Sequence, residues 1–106
     1  MGNPILMTKV KNAIKRKRAN VDFQLKNINI NGNKRGCSGF IINTDTKTTV
    51  YINTEPCMGN YMYRYADDVK DFTGYHNRWA HTFDELIDAI DALLDSSPEE
   101  KKDTRI

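Results

Sequence analysis

The side chains in this sequence that could do chemistry begin with a cluster of histidines and aspartates late in the chain. Asp67, Asp68, Asp71, His76 and His81 fall within fifteen residues. Imidazole and carboxylate groups ligate metals, but the spacing here matches neither the HExxH pattern nor a paired-cysteine pattern. The sequence therefore predicts no metal site. We expect the aspartates to cap helical turns and the histidines to lie in a loop.

The two cysteines, Cys37 and Cys57, are the candidate nucleophiles. A cysteine nucleophile needs a histidine beside it and a third group to orient that histidine. The sequence contains no phosphate-binding loop or nucleophile elbow to organise such a site. Cys37 lies in a glycine- and serine-rich stretch, which is typical of a small buried residue. We therefore expect no enzymatic activity and no cofactor.

The cysteines also bear on the compartment in which the protein works. The sequence shows no secretory leader, and no run reaches the roughly 18 apolar residues of a membrane span. Two cysteines without a leader are typically free thiols in a reducing compartment. The sequence thus predicts a cytoplasmic protein that does not enter a membrane.

The element around which the chain is organised is a helix predicted from Thr82 to Asp95. Thr82 and Glu85 form a capping box, in which each side chain can bond a free backbone N–H of the first turn. Beyond the cap, apolar residues recur at helical spacing and draw a stripe that must be buried. The stripe consists of Phe83, Leu86, Ile87, Ile90, Leu93 and Leu94.

The other side of this helix carries a row of carboxylates, which we call the acidic ridge. The ridge consists of Asp84, Glu85, Asp88, Asp91 and Asp95. Like charges one turn apart repel by about 0.2–0.5 kcal/mol per pair, so packing must hold this helix in place. A negative ridge can meet a basic groove on a partner protein, including a groove that normally holds nucleic acid.

The remainder of the chain predicts a second helix and a sheet. The spacing of Leu6, Val10, Ala13 and Ile14 predicts a helix over 4–18. Alternating apolar and polar residues predict strands, the first with a bulge near Lys26. These strands span 21–30, 36–43, 48–54 and, as a possible fourth, 61–65. A tight turn is predicted at 31–33, a second turn at 44–47, a loop at 56–60 and a short helical turn after Asp67.

These elements predict an α+β fold, an antiparallel meander of three to four strands with an N-terminal and a C-terminal helix packed on one face. At 106 residues we expect a single domain over 1–106, with 96–106 as a frayed tail. We expect Trp79 to be largely buried. The residues expected beneath the C-terminal helix are Phe23, Leu25, Phe40, Ile42, Val50 and Ile52.

Charge is segregated along the chain although the net charge is only +2. Residues 1–20 carry six bases and no acid, whereas residues 65–106 carry eleven acids and five bases. A basic helix of this kind can pair with the acidic helix beside it or can bind phosphate groups directly.

Direct nucleic-acid binding is therefore the alternative function that the sequence predicts. It requires the basic helix, the tip of the first hairpin, and tyrosines that share one open sheet face with an arginine. The candidate residues are Lys11, Lys15, Arg16, Arg18, Lys34, Arg35, Tyr63 and Arg64, with Tyr51, Tyr61 and Tyr65 as further stacking rings.

The order helix, three strands, helix resembles that of the double-stranded-RNA-binding domain in topology. That family reads RNA partly through basic residues at the start of its last helix. Here that position holds Thr82-Phe83-Asp84-Glu85, so the chain is not assigned to the family.

The composition favours a protein partner. Eleven Asn, ten Lys and ten Ile against six Arg make the chain similar to small accessory proteins of phages and plasmids from low-GC bacteria. Inhibitors of host nucleases, such as anti-CRISPR proteins, are frequent in that group. The resemblance implies a non-enzymatic protein that binds a nucleic-acid-handling protein and inhibits or modulates it.

Overall fold

A computed structural model describes residues 6–26, 29–30, 33–34, 37–69 and 75–98 of the chain. Within these residues lie helices α1 (Met7–Lys17) and α2 (Phe83–Leu94) and seven strands. The strands are β1 (Val21–Lys26), β2 (Asn29–Ile30), β3 (Asn33–Lys34), β4 (Ser38–Asn43), β5 (Thr49–Cys57), β6 (Asn60–Ala66) and β7 (Arg78–Ala80).

Five of the strands form one antiparallel sheet in the order β1-β4-β5-β6-β7, and β2 pairs with β3 as a separate hairpin. The predicted α+β meander is confirmed, with one sheet strand more than the four expected. The additional strand is β7, which occupies a stretch that the sequence presented as a connection.

Both helices pack on the same face of the sheet. The helices bury Met7, Val10, Ala13 and Ile14 from α1 and Leu86, Ile87, Ile90 and Leu94 from α2. The sheet contributes Ile41, Val50, Ile52, Tyr61 and Ala80 to this core. Leu6 was expected on the buried face of α1, but it is the N-cap residue and lies exposed, and Met7 takes its place.

The predicted set of core residues is wrong for β4. Phe40 and Ile42 were expected beneath α2, whereas Ile41 between them faces the helices. Phe40 instead packs on the opposite face with Tyr51 and Ala66, and by strand alternation Ile42 lies on that face too. Three consecutive apolar residues do not fix the phase of a strand, and the pairing of Ile41 with Phe23 and Val50 decides it.

The prediction for Trp79 is also wrong, because its side chain is 44% exposed. Trp79 lies in the middle of β7, opposite Met62, on the sheet face that does not carry the helices. Ala80 is the residue of this strand that enters the core beneath α2.

The end of α2 is held by the turn that follows β4. Asn43 is buried, and its Nδ2 donates to the Leu94 carbonyl oxygen at 2.7 Å. Its Oδ1 accepts from the backbone N–H groups of Asp45 at 2.9 Å and Thr46 at 3.3 Å. One side chain therefore shapes the 44–47 turn, which was correctly predicted, and satisfies a free carbonyl of the helix.

The turn between β5 and β6 is tighter than the predicted 56–60 loop. β5 continues to Cys57, and Met58 and Gly59 alone reverse the chain, both with positive φ (53° and 84°). Several predictions lie outside the described residues, namely Pro4, the bulge at Lys26-Asn27, the 31–32 turn, Arg35 and most of the helical turn after Asp67. The same holds for the side chain of Leu25 and for 99–106 of the predicted tail.

Candidate functional site

The two helices lie side by side and run in the same direction. Lys9, early in α1, places its Nζ 4.8 Å from the ring centroid of Phe83 at the start of α2. Lys17, at the end of α1, reaches Asp88 further along α2. Bases in the last turn of α1 and acids in the first turn of α2 complement the two helix dipoles.

Most of the acidic ridge faces α1. Lys17 Nζ lies 3.2 Å from Asp88 Oδ1. Arg18 Nε donates to Asp91 Oδ1 at 2.9 Å, and Arg18 Nη2 lies 2.5 Å from Asp95 Oδ2. The structure thus brings the ridge together with the end of the basic helix, an arrangement that the sequence left open.

Arg18 closes the C-terminal end of this helix pair. Its side chain is only 9% exposed, and Nη2 also donates to the Asp91 carbonyl oxygen at 3.3 Å. Hydrogen bonding to Asp95, opposed by burial and supported by the hydrogen bond and charge of Asp91, raises the pKa of Arg18. The last turn of α2 contains no basic residue of its own, so Arg18 supplies the cation that this helix end favours.

An open cleft of about 370 Å³ lies where the second half of α1 faces the first half of α2. Apolar atoms of Ala13, Phe83 and Ile87 line it, together with charged side chains on its two sides. Arg16 and Lys17 stand on the α1 side, and Asp84 and Asp88 stand on the α2 side.

The charges around the cleft are not all paired. Asp88 is bonded to Lys17, but neither Asp84 nor Arg16 forms an ion pair within the described part of the chain. Glu85, the remaining member of the ridge, turns away, because its Oε2 accepts from the His81 backbone N–H at 3.2 Å. Its own N–H donates to Thr82 Oγ1 at 3.1 Å, so the predicted cap is present, with Glu85 reaching one residue further back than expected.

The candidate nucleic-acid residues are spread over several surfaces. Lys11 and Lys15 lie on the side of α1 towards β1, each with its Nζ about 6 Å from the Phe23 ring. Arg16 lies at the cleft and Arg18 is tied to α2. Lys34 belongs to β3 in the separate hairpin.

The tyrosines and Arg64 do not form one open sheet face. Tyr61 and Tyr65 are buried on the side that carries the helices, and Tyr63 is half-buried on the same side. Arg64 is 1% exposed on the opposite side, where its Nη1 donates to the Tyr65 carbonyl oxygen at 2.9 Å. Its Cζ lies 5.0 Å from the ring centroid of Tyr51, so Arg64 is a buried structural cation.

The residues first considered for chemistry are also dispersed. His81 Nδ1 is hydrogen-bonded to Asn60 Oδ1, and Asp67 Oδ1 accepts from the Tyr75 hydroxyl at 3.1 Å. Cys37 is buried and Cys57 is exposed, and the two are not joined by a disulfide, as predicted. No group of three His, Cys, Asp or Glu side chains that could hold a metal occurs in the described ranges. Neither of the two described helices has the length and apolar character that crossing a membrane requires.

Comparison with known proteins identifies no relative of this chain. No protein-family model, curated protein or solved structure matches the chain with significance. The function must therefore be argued from the surface itself.

Proposed function

We propose that this protein works by binding another protein through the cleft between α1 and α2 and does no chemistry of its own. The observation that carries the proposal is the composition of the cleft. An apolar floor lies beside two aspartates, Asp84 and Asp88, of which Asp84 has no ion-pair partner in the described structure.

This composition suits a long basic side chain of the partner. Arginine and lysine lay their methylene stems along apolar surface while the charged head stays at the rim. In the cleft the stem would lie over Ala13, Phe83 and Ile87, and the head would meet Asp84. Arginine is also among the side chains most enriched in the centres of protein interfaces.

The partner that such a surface favours is a protein with a basic, nucleic-acid-binding groove. Three carboxylates of the acidic ridge, Asp88, Asp91 and Asp95, are already paired with α1, so Asp84 is the carboxylate at the cleft that has no ion pair among the described residues. In a basic groove, Asp84 would compete with a phosphate group for the same cation. We therefore propose an inhibitor or modulator of a nucleic-acid-handling protein, of the kind that phages and mobile elements encode, acting in the cytoplasm.

The test is a binding measurement with matched charge reversals. The protein is used to isolate its partner from cells of the source organism, and the purified partner is titrated with wild type, Asp84→Lys and Asp45→Lys. Both variants change the net charge equally, but Asp45 lies in the exposed 44–47 turn. We expect Asp84→Lys to weaken binding by at least about tenfold, since one desolvated charge contact is worth 1.4 kcal/mol or more, and Asp45→Lys to have little effect.

A competition experiment tests the class of partner. We expect duplex DNA or structured RNA to displace the protein from its partner. A partner that binds equally well to wild type and Asp84→Lys, or that binds nucleic acid and this protein at the same time, contradicts the proposal.

Direct nucleic-acid binding is the second candidate, and one observation favours it. Lys9, Lys15 and Arg16 are exposed on α1, Lys11 is half-buried, and none of the four forms an ion pair within the described residues. A mobility-shift titration at low salt tests it, with binding that weakens steeply as salt increases. Reversal of Lys15 and Arg16 should then abolish the shift.

A further inference from the structure

The outer edge of β1 presents backbone groups that a further strand could use. The Thr44 N–H donates to the Asn20 carbonyl oxygen at 3.1 Å, just before Val21 pairs with Asn43. This bond makes Val21–Asn43 a non-hydrogen-bonded pair of the antiparallel ladder. Val21, Phe23 and Leu25 therefore direct their backbone N–H and C=O groups away from β4.

Two of these outward N–H groups are occupied by local acceptors. The Val21 N–H donates to the Ala19 carbonyl oxygen at 2.9 Å, and the Phe23 N–H donates to Asp22 Oδ1 at 2.9 Å. Asp22 is an exposed side chain, so a competing strand can displace it at little cost. Among the described strands, none pairs with this edge.

The same edge is flanked by positive charge. Lys11 and Lys15, one turn apart on α1, hold their Nζ atoms 5.8 and 5.9 Å from the ring of Phe23. Phe23 is half-buried, and neither lysine forms an ion pair inside the described ranges. Outward backbone groups and two unneutralised cations thus meet at one place.

We propose that the outer edge of β1 binds an extended segment of a partner protein that carries acidic side chains at alternate positions. Backbone hydrogen bonds to Phe23 and Leu25 would add the segment to the sheet, as in other cases of strand addition. Because side chains of a strand alternate between faces, every second residue would point to the face on which Lys11 and Lys15 stand. The site is separate from the α1–α2 cleft and does not depend on its function.

Two other molecules could occupy the β1 edge, a second copy of this chain or a nucleic acid, and the structure of the edge argues against both. A second copy paired through the same edge would bring together two sets of Lys11 and Lys15 on one side and two Asp22 carboxylates on the other, so like charges would meet on both sides. A nucleic acid could contact the lysines but has no strand backbone to pair with Phe23 and Leu25.

The experiment is an amide NMR titration of the full chain with a synthetic peptide of sequence Thr-Glu-Val-Glu-Val-Glu-Thr, blocked at both ends. We expect saturable shifts and slowed hydrogen exchange at the Phe23 and Leu25 amides, with a dissociation constant below about 1 mM. The same peptide with lysine in place of glutamate should not bind.

Three variants test the roles of the named residues. Lys11→Glu with Lys15→Glu should weaken binding of the peptide by at least about tenfold. Lys47→Glu changes an exposed lysine in the turn between β4 and β5, away from the Phe23 ring, and should change the affinity by less than about twofold. Asp22→Ala removes the competing acceptor and a repelling carboxylate, so it should tighten binding by about twofold to tenfold. Amide spectra of each variant without peptide report whether the fold is kept.

The proposal is overturned by any of three results. These are no shift of the β1 amides at about 1 mM peptide, equal binding of the lysine peptide, or a concentration-dependent dimer that occupies these amides. Shifts confined to the lysine-bearing face with oligothymidine, and none with the acidic peptide, would assign the edge to nucleic acid instead. If Asp84→Lys loses binding at the α1–α2 cleft, peptide binding at the β1 edge should stay unchanged. Each proposal can therefore be disproved without the other.

Discussion

At the scale of single residues, Asn43 connects more of the molecule than any pattern in the sequence indicates. Its amide donates to the end of α2, its amide oxygen accepts from the turn that follows β4, and Asn20 Nδ2 adds a further bond to that oxygen at 3.2 Å. The sequence predicts a turn at this point because Asn, Asp and Thr cluster there. Nothing local indicates that Asn43 also reaches Leu94, fifty-one residues away.

We expect Asn43→Asp to lower the free energy of unfolding by about 2–4 kcal/mol, because the carboxylate keeps the acceptor but loses the donor and buries a charge against carbonyl oxygens. Urea denaturation measures the change. Asn12→Asp is the matched control, since Asn12 is exposed on α1, and it should alter stability by no more than about 0.5 kcal/mol. Equal effects of the two substitutions would show that the bond to Leu94 contributes nothing.

Ionisation of Tyr51 makes the free energy of unfolding depend on pH in the alkaline range. Burial raises the pKa of Tyr51, although the charge of Arg64 and hydrogen bonds with Ser38 and Asn53 oppose the shift. The folded state therefore keeps the phenol proton to a higher pH than the unfolded chain, whose tyrosines titrate near pH 10. The contribution of Tyr51 to the free energy of unfolding is complete below about pH 10. It is lost as the pH rises from there through the pKa of Tyr51 in the folded state.

We expect Tyr51→Phe to reduce the loss of unfolding free energy above about pH 10 and to leave the pH dependence below it unchanged. Urea melts at a series of pH values measure this, and phenolate absorbance of the folded protein follows the ionisation. Part of the loss should remain, because burial also raises the pKa of Tyr63. An identical alkaline profile for Tyr51→Phe and wild type would contradict the assignment.

At the scale of elements, periodicity predicted the parts whose two faces differ in residue type. The stripe of α2, its Thr82 cap, the buried face of α1 and the alternation of β5 and β6 all appear in the structure. In each of these elements a shift by one residue would move the apolar set away from the core that the two helices and the sheet share.

Prediction failed where the two faces of a strand carry similar apolar residues or where an element is short. In β4, Phe40 packs with Tyr51 while Ile41 packs with the helices, so hydrophobicity alone could not assign the faces. The three-residue strand β7 is below the length at which alternation is visible, and Trp79 was placed inside on its residue type alone.

The pairing of α1 with α2 is the element-scale feature that makes the candidate site. Segregated charge in the sequence made pairing of the two helices one of two alternatives and could not give the register of the pair. The register places Arg18 between Asp91 and Asp95 and leaves Asp84 beside the cleft without an ion pair in the described residues. The last turn of α2 has no basic residue, and this was the one signal in the sequence that a cation from another element completes the helix end.

We expect Arg18→Ala to lower the free energy of unfolding by about 1–2 kcal/mol, because it leaves Asp91 and the end of α2 without their charge-assisted bonds. Arg18→Lys should recover part of this, since lysine keeps the charge but not the two-pronged geometry. Thermal or urea unfolding of Arg16→Ala provides the control, with little change expected at an exposed arginine. A similar loss for both arginines would mean that the helix pair does not depend on Arg18.

At the scale of the whole molecule, the sheet divides the protein into a helix-bearing face with charge of both signs and a face where Arg64 and Phe40 are buried. The surfaces proposed for binding, the α1–α2 cleft and the β1 edge, both use α1, whose cations point to either side of it. A chain of 106 residues would thus present two separate recognition surfaces, the proposed cleft and the proposed β1 edge.

The central claim, that the α1–α2 cleft is where a nucleic-acid-handling protein binds, is tested most directly by crosslinking in cells. A photoreactive amino acid placed at position 84, with position 45 as the control, is irradiated in the source organism and the adducts are identified by mass spectrometry. The account expects position 84 alone to crosslink, and the adduct to map to a basic nucleic-acid-binding groove of one protein. Adducts to nucleic acid from position 84, or equal protein adducts from both positions, would contradict it.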